Sequence, residues 1–202
     1  MKKNIVDNKV WAVCCPGPSI HTHKTYKQIQ FDNPSRIIAV NCAIFTVFFK
    51  NIDYWVMSDI EMFESCYRRH LDCESTEILS TLLVSERWVK DIPTDYDYIN
   101  SFFNSFKKET FLYNSATIFP LINKKISKWY NYSIFISIAE AIKRGATDIF
   151  VYGADMGGDK YFKTGFSNGR TRHNKERWIE EKNIFNIIRL ECLKHGIRII
   201  RR

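Results

Sequence analysis

The sequence predicts an α/β fold: a doubly wound, mostly parallel sheet with helices on both faces. Three observations predict it. Short apolar runs rich in β-branched residues alternate with longer segments of helical periodicity. Successive apolar runs stop at small or polar residues, namely Ser19, Asn41, Ser58-Asp59 and Gly153-Ala154-Asp155. In an open parallel sheet such positions fall on the carboxyl rim, where ligands bind. Finally, one stretch joins helix, glycine, strand and Gly-x-Asp loop without a break. There Tyr132 to Arg144 reads as a helix, with Ile134, Ile138, Ala141 and Ile142 on one face and two cations in its last turn. Gly145 stops it, and Asp148 to Tyr152 follows as a buried strand running into Gly153-Ala154-Asp155-Met156-Gly157-Gly158.

In chain order, Val10 to Cys14 is the first strand, closed by Cys15-Pro16-Gly17-Pro18-Ser19. A tight Gly/Pro turn ending in serine has the chemistry of an anion loop, in which backbone N–H groups and a hydroxyl approach a phosphate. It is also the chemistry of an ordinary strand-ending turn. It contains neither a G-x-G-x-x-G fingerprint nor a Walker lysine. His21 and His23 have no acidic or cysteine partner nearby in sequence and read as surface histidines rather than metal ligands. Arg36 to Val40 and Tyr54 to Met57 are the next strands, and each of Ser58 and Asp59 serves either a ligand or the cap of the following helix. Glu61 to His70 reads as a helix and Glu77 to Val84 as a buried strand. From Asp91 to Tyr130 aromatics and lysines interleave without a clear period, which we read as an insertion or lid over 91–130. Asp159 to His173 is a long polar loop carrying Arg170 and Arg172. Asn174 to His195 is the longest helix, and Ile197 to Ile200 is the last strand.

At 202 residues and 45% hydrophobic composition the chain can bury one full core, so a single domain over 1–202 is expected and disorder is not. No apolar run is long enough to span a bilayer, and the Met-Lys-Lys-Asn start leads into Asp7 and Asn8 rather than a signal sequence, which places the protein in the cytoplasm. Six cysteines without C-x-x-C spacing read as buried thiols. A net charge of +8 suits a phosphorylated ligand, nucleic acid or an anionic surface without choosing among them.

Taken together, Pro16-Gly17-Pro18-Ser19, Asn41, Ser58, Ser133 and Gly153-Ala154-Asp155 followed by His173 resemble the motif series of the small bacterial sialyltransferases that act on lipooligosaccharide. They are also similar to the wider family containing the MptE-type hydroxymethylpterin diphosphokinases and to short phage-encoded proteins with a Gly-Ala-Asp-Met loop. The resemblance implies a Rossmann-like nucleotide-sugar domain. It implies that Gly17, Ser19, Asn41, Ser58, Ser133, Gly153 and Asp155 bind the nucleotide, with Gly153 and Asp155 near the nucleoside. It further implies that His173 is the general base and that Tyr161 holds the leaving phosphate. Arg170 and Arg172 would stabilise the same charge. The implied reaction moves a sugar from an activated donor, CMP-sialic acid-like, to a hydroxyl of a glycan or of modified phage DNA, and requires no cofactor. The alternatives are a diphosphokinase using ATP and Mg²⁺, for which Asp155 and Asp159 are the candidate ligands, and a nucleotide- or nucleic-acid-binding protein without catalysis. Against the family pattern, Cys15-Pro16 stands where the loop carries Gly-Asn, which removes an amide side chain and a backbone donor. Asp155 itself has two readings, as a ligand contact or as a carboxylate that steadies its loop. Ser19, Asn41, Ser133 and Asp155 are expected to converge although far apart in sequence.

Overall fold

The computed structural model describes residues 9–45, 52–58, 61–72, 78–85, 88, 92, 95–111, 132–157 and 175–202. Seven strands form one parallel sheet: β1 (Val10–Cys14), β2 (Arg36–Val40), β3 (Tyr54–Val56), β4 (Thr81–Ser85), β5 (Lys108–Phe111), β6 (Asp148–Tyr152) and β7 (Arg198–Arg201). Their order across the sheet is β5-β4-β3-β2-β1-β6-β7, and every neighbouring pair is parallel. The chain therefore winds outward from β1 to β5, returns, and winds outward on the other side through β6 and β7. The order reverses between β1 and β6, where Val10 pairs with Asp148 and Cys14 with Tyr152. This is the doubly wound Rossmann-like fold, with its topological switch point between β1 and β6.

Alternation along each strand explains why both faces need cover. Trp11, Val13, Ile38, Val40, Val56, Leu83, Ile149 and Val151 face one core, while Ala12, Cys14, Ala39, Trp55, Leu82, Val84 and Tyr152 face the other. The first core is closed by α4 (Ser133–Lys143) and α5 (Lys175–Lys194), which bury Phe135, Ile138, Ala141, Ile184, Phe185 and Ile188. The second is closed by α1 (His23–Asp32), α2 (Glu61–Asp72) and α3 (Asp97–Asn104), together with a 3₁₀ turn over Asn41–Phe45. Trp55 is its centre, edge-on to Phe45 and Phe106, and its buried Nε1–H donates to the Asn41 carbonyl at 2.8 Å.

The fourth strand begins at Thr81, later than the apolar pattern from Glu77 suggests, with Leu79 exposed. The aromatic-rich stretch contributes, in its described part, α3 and the sheet-edge strand β5; Phe102, Phe103 and Phe106 pack there against one another and against the second core. Residues 112–131 lie outside the described residues. Cys14, Cys15, Cys42, Cys66 and Cys192 are free and buried. No described helix is long and apolar enough to cross a membrane.

Candidate functional site

Four adjacent strands, β6, β1, β2 and β3, end on one rim in Gly153-Ala154-Asp155, Cys15-to-Ser19, Asn41 and Ser58. Neighbouring strands are spaced about 4.8 Å apart, so these groups form one row. At its centre the loops after β1 and β6 interlock. Cys15 N–H donates to Tyr152 O at 2.8 Å, Gly17 N–H to Gly153 O at 2.8 Å, and Ser19 N–H to Asp155 Oδ2 at 3.0 Å. The approach is too close for a side chain on either glycine. A Cβ on Gly17 would stand 2.2 Å from Gly153 O and 2.3 Å from Asp155 Oδ2. One on Gly153, whose φ is +64°, would stand 2.1 Å from Cys15 O.

This contact changes what the first loop offers a ligand. Ile20 N–H donates to Gly17 O at 3.1 Å, and Pro16 and Pro18 have no N–H, so every amide from Cys15 to Ile20 is either engaged inside the protein or missing. The anion cradle of backbone donors read from the sequence is thus not available there; the Ser19 hydroxyl is the donor the loop retains. Asp155 takes the steadying role through Oδ2, while its Oδ1 meets no hydrogen-bond donor among the described residues. Both roles weighed for this residue therefore fit on its two oxygens.

Asn41 adopts a left-handed backbone, φ +48°, a conformation asparagine tolerates better than most residues. Its carbonyl is held by Trp55, yet its side-chain Oδ1 is buried without a hydrogen-bond partner among the described residues, the residue being only 8% exposed. An orphaned acceptor of this kind costs about 1–3 kcal/mol unless a ligand or water satisfies it. Met156, also buried, has φ +46°, a second non-glycine residue held in this region on the same rim.

Ser58 is buried beyond β3, and its hydroxyl contacts that of Ser133, the first residue of α4. Because α4 leads into the parallel strand β6, it starts at the carboxyl rim. Its N-cap residue, Tyr132, supplies no side-chain oxygen to the first N–H groups, so the helix start presents backbone donors and a positive dipole end beside the paired hydroxyls. The Tyr132 ring instead lies beneath the Arg177 guanidinium, 5.0 Å away, and its hydroxyl donates to Glu180 Oε2 at 2.9 Å. Burial first, and then that hydrogen bond, push the Tyr132 phenol up to about 12.

The start of α5 reaches the same rim by the same topological argument, since β7 follows it in parallel. Glu181 stands here, a residue the sequence reading did not select. Burial raises its carboxyl from 4.5 to about 7, against the opposing effect of Arg177. The Cys15 thiol is raised well above its usual value, by burial first and then by the neighbouring Cys14, Glu181 and Asp155. That thiol stays protonated at neutral pH and is no nucleophile.

The described residues thus bring Gly17 and Ser19 against Gly153 and Asp155, and Ser58 against Ser133, with Asn41 on the strand between. His173, Tyr161, Arg170 and Arg172 lie outside the described residues, as does Asp159 of the magnesium alternative. Among the described residues no group of three or more His, Cys, Asp or Glu side chains is disposed to hold a metal ion.

No protein-family model matches the sequence, and no curated protein matches it. Solved structures do share the fold. One is the sialyltransferase CstII from Campylobacter jejuni in complex with a substrate analogue, CMP-3FNeuAc, with a TM-score of 0.54 and 15% identity over 95% of this chain and 79% of that one. Another is a single-residue variant of sialyltransferase Cst-II in complex with CMP, with a TM-score of 0.55 and 14% identity over 95% and 80% of the two chains. At such identity the likeness is one of fold, and it extends over nearly the whole of this chain.

Proposed function

We propose that the protein is a glycosyltransferase that moves a sugar from a nucleotide-activated donor of the CMP-sugar type to a hydroxyl acceptor, a glycan or a modified DNA. The observation that carries this reading is the buried Asn41 Oδ1, without a hydrogen-bond partner among the described residues, on the switch-point rim that also holds the start of α4, where Tyr132 supplies no side-chain cap. Support comes from the shared fold with enzymes solved in complex with CMP and a CMP-sugar analogue, although shared fold alone does not assign activity.

In this reading the nucleoside lies against Gly153 and Asp155, and Ser19 and Asn41 contact it from β1 and β2. With the amides after β1 engaged, the phosphate goes to the Ser133 hydroxyl and the first N–H groups of α4. In the transfer step, neutral His173 takes the proton of the acceptor hydroxyl as its oxygen bonds to the anomeric carbon. The bond from that carbon to the phosphate oxygen breaks, and its electron pair leaves with the nucleotide. Tyr161, Arg170 and Arg172 stabilise the charge on that oxygen.

Thermal melting in the presence of CMP, UDP, GDP, ATP and their sugar conjugates, with and without Mg²⁺, tests the reading. A nucleotide that binds only the folded state stabilises it by about 2.7 kcal/mol at a concentration of 100 Kd. CMP and CMP-sugars should raise the melting temperature without Mg²⁺, and CMP should be released from a CMP-sugar on adding acceptor. A shift from ATP that depends strictly on Mg²⁺ would favour the diphosphokinase instead, and binding without turnover on any acceptor would favour a non-catalytic nucleotide-binding protein.

A further inference from the structure

The transfer scheme leaves Glu181 unused. It lies on the first half of α5, where polar groups from several elements of the switch point come together. Arg177, Glu180 and Lys182 are on α5, Tyr132 is at the start of α4, Cys15 follows β1, and Asp155 follows β6. This part of the helix is held down on the rim. Tyr132 is bonded to Glu180 and covered by Arg177, and Lys182 Nζ reaches the backbone after β6, 3.9 Å from where a Cβ on Gly157 would stand. Glu181 has no hydrogen-bond donor among the described residues. Spaced three, four and seven residues before buried Ile184, Phe185 and Ile188, Glu181 lies on the inward side of the helix and is half-buried, so its carboxyl is partly withdrawn from water without a protein donor to replace it. Glu180, beside it on the same helix, has the Tyr132 hydroxyl as its donor. A second polar group without a hydrogen-bond partner among the described residues, Asn41 Oδ1, is buried on the same rim two strands from β6.

We propose that Glu181 is a recognition residue of the nucleotide site, accepting a hydrogen bond from a donor group on the nucleoside, either a ribose hydroxyl or the exocyclic amine of the base. The charges favour that end of the ligand over the phosphate. Asp155 and Glu181 both bear on the Cys15 end of the crevice and repel an anion there, whereas the helix start at Ser133 attracts one. The nucleotide is therefore oriented with its donors toward α5 and its phosphate toward α4. The inference rests on the nucleotide-binding reading above. It also gives the site a pH dependence, because an ionised carboxylate is the stronger acceptor and burial lifts this one to about 7.

The test is calorimetric titration of CMP, 2′-deoxy-CMP and UMP into the wild-type protein and Glu181→Gln at pH 6 and pH 8, with melting temperatures as the check on folding and Glu181→Ala as a second variant. At pH 8 Glu181→Gln should bind CMP roughly 10-fold more weakly than the wild type. The gap should narrow at pH 6, the ligand's own phosphate titration being common to both proteins. If the ribose supplies the donor, 2′-deoxy-CMP binds the wild type as weakly as CMP binds the variant; if the amine does, UMP behaves so. Wild-type binding that both substitutions leave unchanged at pH 8 overturns the assignment of Glu181 alone. No nucleotide binding by the wild type at either pH overturns the nucleotide reading, and this assignment with it.

Discussion

At the amino ends of the strands, Arg144 donates to Glu109 at 2.8 Å and to Glu140 at 3.4 Å and lies 4.4 Å over the Tyr54 ring. Lys143 stands 3.7 Å from the other oxygen of Glu140, whose side chain is 1% exposed. At the carboxyl ends, Asn41 Oδ1 is buried without a hydrogen-bond partner among the described residues, and burial raises the half-buried Glu181 carboxyl against the opposing effect of Arg177. Charge compensation separates the two rims: at the amino ends buried Glu140 is flanked by two cations, even though its Oε1 and Arg144 Nε make no hydrogen bond among the described residues, whereas at the carboxyl ends Asn41 Oδ1 has neither a hydrogen bond nor an ion there. A rim that serves only the fold gains from pairing its charges, because an uncompensated buried charge is expensive. A rim that binds must keep donors and acceptors available, and the folded chain carries that cost until a ligand arrives.

The comparison can be broken by substitution, and the largest effect is expected where the open rim is nevertheless tightly built. Gly153→Ala forces a side chain at φ +64° to within 2.1 Å of Cys15 O. A destabilisation of about 4 kcal/mol or more is expected in urea unfolding. A loss below about 1 kcal/mol would show that the two loops do not interlock as described. On the paired rim, Arg144→Ala strips Glu140 and Glu109 of their strongest donor and should cost about 3 kcal/mol at neutral pH. Burial already raises Glu140 with Lys143 and Arg144 opposing, so without Arg144 it rises further. The loss should therefore be smaller at pH 4, where that carboxyl is protonated, and Glu140→Gln in the same background should recover part of it at pH 7.

On the open rim the sign reverses. The Glu181 carboxyl goes from 4.5 to about 7 on folding, so the folded state binds the proton more tightly than the unfolded one. The stability contributed by that proton is fully present below pH 4.5 and is lost as pH rises through about 7. Glu181→Gln removes the titration. It should stabilise the protein by about 2 kcal/mol at pH 8, a figure discounted for partial exposure, and leave it unchanged at pH 4. Denaturant midpoints at the two pH values decide this. Equal stability of the two proteins at pH 8 would mean that the carboxyl is hydrated and that the rim is not under-satisfied there.

How far these features could be read from sequence follows from the range of the interactions that create them. The strands at Val10 and Asp148 were legible because burial on both faces leaves an unbroken apolar run, and Gly17 and Gly153 because a glycine after such a run marks close approach. What Gly17 approaches was not legible. Its Cβ space is taken by Gly153 and Asp155, 136 and 138 positions away, and that long-range contact also engages the loop amides that local chemistry assigns to a phosphate. The residues 97–111 were obscure because α3 and β5 pack mainly by aromatic side chains at the sheet edge, without a clean period of either kind. Glu181 had no local signal at all. It is one of four glutamates in a helix with apolar residues on several sides, among them exposed Ile179, Ile187, Leu190 and Leu193; only the topology, which brings the start of α5 to the rim, distinguishes it from its neighbours.

The smallest effect on stability, and the sharpest separation of stability from binding, is expected at Asn41. Glycine accepts φ +48° without strain, and the Asn41 carbonyl, which receives the Trp55 indole N–H, belongs to the backbone and survives the change. Asn41→Gly adds about 0.5–1 kcal/mol of backbone entropy cost and removes a buried acceptor that is unsatisfied in the free protein, which offsets it by a similar amount. Urea unfolding should therefore place the variant within about 1 kcal/mol of the wild type. Nucleotide affinity should behave differently, because the lost amide is the group that a bound ligand would satisfy. A fall of roughly 10-fold in CMP affinity is expected, read by the same titration that tests Glu181. A variant that loses several kcal/mol of stability would show that the Asn41 side chain has a structural role after all, and one that keeps full affinity would remove β2 from the binding rim.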